Sequence, residues 1–592
     1  RRHAHYQHAV AAGYAGAVDV AAGRGLIAKA LETTLIELAS SCGRDTIQPS
    51  AGLMGFIAEY DTKNKDAKPI KLPMVVKPGD WTGQHGGGYE VIGGEMVHHA
   101  SREQLAMLFA TRPPRVFQAI NALQATAFRI NKGVLATLQG QERQRGAAGT
   151  RLAAQLQIAE RFKDEPTIYF TWYVDFRGRM YPVQHPLNPQ GDDVAKGLLE
   201  FAKGVQLGQE GLRALAVHGA NCFGYDKVTE DEQVAWAKKH TEVIVASANG
   251  GSWWKEADEP YAFLAFCFEW AKAHQLDDPT AYVSHLPCAY DCSCNAYQHF
   301  AALPHDKVLM AKTLPAGDVP GANAPPKDFY SEVALAMVEL VAAGRPQGTK
   351  RKEATAEDAV ALQLLAEQPL LRGSASLVKL RKLIKRGVMT TPYGAVTLTI
   401  RKGIVSGLKA MGPAAEPLLS NGKAVTQLVR LLQAAIASAA PGAIQVMQQV
   451  KASARQAVDE DRPVQWTSPI GFPVRQHYYD KDGDRRDRKD ITASVPNYVH
   501  SLDASHMMLT IVNCLDDGIR DFAMVHDSYA THAANHRRMV DLLWASFRQQ
   551  YQHVGEQLKV RLDEDALPEF WRRRLWQANV AKTVPLPADW RP

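Results

Sequence analysis

Apolar residues recur at helical spacing over residues 25–41, where Leu26, Ala30, Leu31, Leu35 and Leu38 share one side. The same period predicts one amphipathic helix over 114–139, with Val116, Ile120, Leu123, Ala127 and Val134 in its stripe. Further helices are predicted over 329–343 and 355–367, and a third from Leu377 onward. Short runs rich in β-branched and aromatic residues predict strands at 168–174, 285–290 and 522–525. Between these stretches the pattern yields to Pro and Gly. Residues 69–94 read as an extended, turn-rich connector and 313–326 as a loop. Residues 481–490, KDGDRRDRKD, read as a solvated charge run at a loop tip. No internal repeat is visible. Short strands separated by long helical stretches predict a helix-rich, mixed α/β chain.

At 592 residues the chain is too long for one hydrophobic core, so several domains or a multi-lobed fold are expected. An apolar fraction of 46% and a charged fraction of 22% are those of a globular protein and exclude a disordered one. Lys+Arg 68 against Asp+Glu 62 leaves +6, compatible with nucleic acid but no argument for it. No apolar run reaches the length of a membrane span, and the N-terminus lacks a signal-peptide layout, so no membrane association is expected. Seven cysteines, odd in number and sparse, point to reduced thiols. Cys288, Cys292 and Cys294 cluster, but no second pair follows at zinc-site spacing, so they read as packing thiols.

Three segments carry chemistry. Asp291 ends the apolar run HLPCAYD, and Asp527 sits between two strand-like runs in FAMVHDSYATH, as if at the tip of a hairpin. Two carboxylates on adjacent strands suit Mg²⁺, which takes a few hard oxygen ligands and shares substrate phosphates. A pair of such ions about 4 Å apart serves phosphoryl transfer. Either aspartate taken alone reads better as an ordinary turn residue. The third segment is LVKLRKLIKRGVMTTPYG, in which Arg381 and Lys385 stack on one helical face and Met389 and Tyr393 continue it. A cationic pair followed by an aromatic suits a nucleoside triphosphate; a solvated basic helix is the bland alternative. Pro392 predicts that the helix ends before Tyr393, and Gly394 permits the turn.

YDCSC with QHF, KRGVMTTPYG and VHDSY, in that order, resemble motifs A, B and C of the single-subunit, DNA-dependent RNA polymerases of T7-like bacteriophages and mitochondria. DFRGRMYPV, NPQGDD, HGANCFGYDKV, FLAFCFEW, GFPV, PNYVHSLDASH and the connector WTGQHGGGY are similar to the phage enzymes as well. The resemblance implies a right-hand fold of palm, fingers, thumb and N-terminal domain. It implies that Asp291 and Asp527 bind two Mg²⁺ ions, and that Arg381 and Lys385 hold the incoming triphosphate, with Lys385 a proton donor to pyrophosphate. Tyr393 would lie beside the sugar and help select ribose. Lys227 would reach the triphosphate, Arg179 the hybrid- and substrate-binding palm surface, His500 the minor groove at the primer end, and Tyr330 the template and fingers. Asp503 matches too, with a structural role as the alternative for it. The implied partners are double-stranded template DNA, RNA product and ribonucleoside triphosphates, bound by a monomer.

The sequence departs from the family at Cys292, where Gly is usual, and at Asn295 and Ala296, in place of Ser-Gly; this puts the local backbone shape in question. A DNA polymerase of the bacterial polymerase I family shares the Arg-Lys-Tyr-Gly helix. It usually carries Glu after the motif C aspartate, where Ser528 stands, and a bulky motif A Glu, where the run is Cys292-Ser293-Cys294-Asn295. An inactive nucleic-acid-binding relative is the other alternative. The implied domains are an N-terminal domain over 1–140, a short thumb over 141–170, palm over 171–324, fingers with motif B and the promoter-reading hairpin region over 325–500, and palm again over 501–592. The chain starts at Arg1 rather than Met, and flexible segments are expected to be missing from it. The motif spellings point to a phage gene expressed in the cytoplasm of an infected bacterium, in preference to a mitochondrial matrix.

Overall fold

The computed structural model describes residues 71–89, 94–140, 147–292, 294–304, 306–313, 328–344, 354–371, 374–480, 483 and 485–552. The helix expected over 25–41 and nearly all of the loop expected over 313–326 lie outside them.

A small antiparallel sheet is the hub. Its strands run Ala523–Val525, Ser528–His532, Pro287–Asp291 in spatial order. Helix Ala533–Gln552 packs on it and on both Asp487–Asp516 and Gly208–Phe223, and Gly208–Phe223 also meets strand Pro287–Asp291. A second sheet centres on Trp172–Asp175, with Val97–His98 parallel on one side and Met180–Pro182 antiparallel on the other. Beyond the hub stands a helical lobe: Phe329–Ala342 packs on both Ser374–Thr390 and Gly422–Ala439, and Thr397–Ala410 closes one side. One continuous apolar core runs through both regions, so the chain's length is taken up by a multi-lobed fold and not, as the length suggested, by separate cores. No helix among the described residues is long and apolar enough to cross a membrane.

Local reasons for these elements are visible. In Ser374–Thr390 the side chains of Leu380, Leu383, Ile384 and Val388 are buried at helical spacing, while Lys382, Lys385 and Arg386 are exposed. Helix Ala356–Glu367 opens with a capping box between Thr355 and Asp358.

Three expectations are corrected. The stretch 114–139 is not one helix: it breaks into Pro114–Ala125, a strand Phe128–Ile130, and Lys132–Gln139. Phe128 and Ile130 are buried by pairing with Leu199–Phe201, and Asn131 caps the second helix by accepting from Val134 N at 3.1 Å. Pairing with a distant strand overrides the local period. Of the strand expected at 168–174, only Trp172–Asp175 forms, and Ile168 and Tyr169 make single bridges to Phe128 and Met74. The charge run is not all solvated loop. Helix Asp487–Asp516 begins within it, and Arg485 pairs at 2.8 Å with buried Asp490.

Candidate active site

The hub sheet brings the two aspartates together. Val525 pairs with Ser528, so His526 and Asp527 form a two-residue turn, with His526 at φ 54°. Ser528–His532 then pairs antiparallel with Pro287–Asp291, setting Ser528 opposite Asp291. The ladder extends one step further, Cys292 N donating to Asp527 O at 3.0 Å. Residues more than two hundred positions apart in the chain thus share one end of one sheet. On the outer edge of Pro287–Asp291, His218 Nδ1 accepts from Ala289 N at 3.4 Å. Burial pushes His218 down to about 3, so the ring is neutral and can accept.

The pair is electrostatically loaded. Burial pushes the Asp527 carboxyl up to about 6, and the charges of Asp503 and then Asp291 add to it. Among the described residues there is no group of three or more His, Cys, Asp or Glu placed to hold a metal. Two carboxylates alone, crowded with negative charge and open to a cavity, are still a fitting donor set for Mg²⁺ that shares phosphate ligands. Cys292 lies buried beside them, its thiol pushed well up by burial and by both aspartates. The departure from glycine there leaves the strand ladder intact. Cys294, at φ 58°, starts helix Asn295–Ala302.

Facing the sheet is the basic helix. Its Arg381 guanidinium and Lys385 ammonium stand 5.6 and 5.8 Å from the centre of the Tyr330 ring. Arg381 is also ion-paired with Asp328, whose side chain accepts from Tyr330 N at 3.2 Å at the start of Phe329–Ala342. Burial works upward on Asp328, but the bonds from Arg381 and Ser331 outweigh it and hold the carboxyl low. The helix ends at Thr390, before Pro392, as the sequence predicts. Tyr393 N donates back to Thr390 O at 3.2 Å, and Gly394 turns the chain at φ 80°. A Cβ on Gly394 would also lie 3.2 Å from Pro496 Cδ.

A cavity of about 610 Å³ lies between these elements. Seven of the nine residues singled out from the sequence line it: Asp291, Asp527, Arg381, Lys385, Tyr330, Tyr393 and Lys227, the last paired with Asp226 at 2.5 Å. The other two do not. The His500 ring is tilted against the Tyr393 ring at 5.1 Å, and Arg179, partly buried, forms a two-bond pair with buried Asp503, Nε to Oδ1 at 3.0 Å. The sequence reading missed Asp328, which occupies Arg381, and Asp175 and Arg177, which contact this cluster. Their one signal was two arginines flanking a glycine after an aspartate in DFRGR.

Residues 205–569 match the sequence family described as DNA-dependent RNA polymerase. The chain belongs to that family. This polymerase-family chain is 32% identical over 569 residues to DNA-directed RNA polymerase 3, chloroplastic, of Nicotiana sylvestris, covering 84% of this chain and 56% of that one. It is 28% identical over 681 residues to the DNA-directed RNA polymerase of Enterobacteria phage T3, covering 95% and 74%. It is 29% identical over 556 residues to DNA-directed RNA polymerase 1, mitochondrial, of Arabidopsis thaliana, covering 82% and 54%. The chain thus spans little more than half the length of the chloroplast and mitochondrial relatives. Its helix-rich, mixed α/β architecture is the right-hand polymerase fold.

Proposed function

We propose that this chain synthesises RNA on a double-stranded DNA template from ribonucleoside triphosphates by two-metal-ion nucleotidyl transfer. One observation carries the reading: Asp291 and Asp527 meet at the end of one sheet, across a single cavity from Arg381 and Lys385. Carboxylates for cations and cations for a triphosphate are the two halves of such a site.

Asp291 and Asp527 would hold Mg²⁺, which when bound activates the attacking 3′-oxygen and neutralises charge on the leaving pyrophosphate. Arg381 exchanges part of its pairing with Asp328 for phosphate oxygens, a fork geometry that guanidinium suits. Lys385, exposed at the cavity, binds the phosphates and delivers a proton to the departing pyrophosphate oxygen. Lys227 adds a third cation to the cavity lining. Tyr330 serves as the apolar floor between the two helix cations. Tyr393, with the His500 ring tilted against it, sits beside the sugar and contributes to choosing ribose. Arg179 shapes the palm surface through Asp503 rather than by direct contact.

In this reading the hub sheet, within 171–324 and 501–592, is the palm; the helical lobe within 325–500 is the fingers; 1–140 faces upstream DNA; 141–170 is the thumb. The enzyme acts as a monomer, transcribing phage genes in the cytoplasm of an infected bacterium.

The experiment is ribonucleotide incorporation on a primed DNA template with Mg²⁺. Asp291→Asn and Asp527→Asn change little in shape and should each cost at least about a thousandfold in rate. Ordinary turnover by either variant would remove the assignment.

A further inference from the structure

The turn Asp175-Phe-Arg-Gly-Arg contains two arginines with different fixed partners. Arg179 goes to Asp503. Arg177 goes to Asp175, whose buried carboxylate accepts from Arg177 N at 2.8 Å, Nε at 2.9 Å and Nη2 at 2.5 Å, and from Arg179 N at 3.1 Å. Tyr181 lies 3.4 Å from Nη2. This clamp locks the guanidinium plane and leaves Nη1, which is 2.8 Å from His500 Nδ1.

A guanidinium has donors and no acceptor. The short contact therefore requires Nδ1 to carry the lone pair, and a neutral imidazole then bears its proton on Nε2. Among the described residues no protein group accepts from that Nε2. The His500 ring is tilted against the Tyr393 ring at 5.1 Å, and Tyr393 lines the cavity.

We propose that Arg177 is a positioning residue: braced by Asp175, it fixes His500, packed on the cavity-lining Tyr393, in the Nε2–H form, so that a histidine N–H donor stands beside the ring that meets the sugar of a bound nucleotide. This rests on the reading of the cavity as an RNA polymerase active site. It adds a cause for the sugar preference that lies outside the cavity lining. Without the Nη1 bond the ring is able to take either tautomer and either ring flip, and the donor is present only part of the time.

The test uses the full chain with ¹⁵N-labelled histidine, the His500 signals being identified by their loss in His500→Gln. Wild type should show a protonated Nε2 and an unprotonated Nδ1 at His500. Arg177→Met should show averaging of the two nitrogens, and Arg177→Lys, which keeps a donor, should restore the difference in part. In competition between ATP and dATP, Arg177→Met should reduce the preference for ATP by roughly five- to tenfold, the loss of one hydrogen bond. It should add little once His500→Gln is present. A wild-type His500 protonated on Nδ1 would overturn the proposal even where a variant fails to fold. So would an unchanged preference in Arg177→Met when His500→Gln lowers it. A wild type that makes no RNA, or prefers dATP, would overturn the polymerase reading instead, with the tautomer still deciding whether Arg177 governs His500.

Discussion

Replacing Asp527 by Asn should stabilise the protein while abolishing its chemistry. The carboxyl is pushed from 3.8 to about 6, chiefly by burial and then by Asp503 and Asp291. For an acid raised on folding the sign is fixed. Below pH 3.8 both folded and unfolded chains are protonated at Asp527, and the residue costs nothing. Between 3.8 and about 6 only the folded chain holds the proton; above about 6 the full cost of the buried charge is present. A displacement of that size corresponds to about 3 kcal/mol as a ceiling. Asp527 keeps some contact with water, so ~1–2 kcal/mol is the expected gain for the neutral isostere. Urea unfolding of wild type and Asp527→Asn, both in EDTA, should give the Asn variant this advantage at pH 8. The advantage should shrink steadily toward pH 4.5, and saturating Mg²⁺ should narrow it at pH 8 by compensating the wild-type charge. An Asn variant no more stable than wild type at pH 8, or an advantage that does not change with pH, would refute the reasoning.

Lys385→Ala should lower kcat by about 10²–10³-fold and raise the nucleotide KM, with template affinity nearly unchanged, because contacts to a charge-accumulating group strengthen in the transition state. Steady-state kinetics beside a DNA-binding titration separate the two effects. Tyr393→Phe keeps the ring against His500 and deletes one hydroxyl, so polymerisation should survive while ATP-over-dATP preference falls by roughly 1 kcal/mol. Gly394→Ala should cost about 1–2 kcal/mol in denaturant unfolding, since φ 80° and a Pro496 atom 3.2 Å from the new Cβ both oppose it.

Much of the site was legible in the sequence because its determinants are local. A strand ending in Asp291, a hairpin tip at Asp527, the stacking of Arg381 on Lys385, and a helix halted before Pro392 follow from periodicity and turn chemistry over a few residues. What the residues alone left open was whether two ordinary turn aspartates ever meet. Only the pairing of Ser528–His532 with Pro287–Asp291 decides that, because strand register is a property of two distant segments. The same limit explains the helix expected over 114–139. Its apolar period is real, but the demand of Leu199–Phe201 for a partner strand outweighs it at Phe128–Ile130. Charge behaved likewise. Arg179, expected on the substrate-binding palm surface, is instead tied to buried Asp503, and Arg177 gains its hold on His500 from the same helix more than three hundred residues along the chain. A side chain's chemistry is written at its own position; its partner, and hence its protonation and its role, is set by which distant elements share the core.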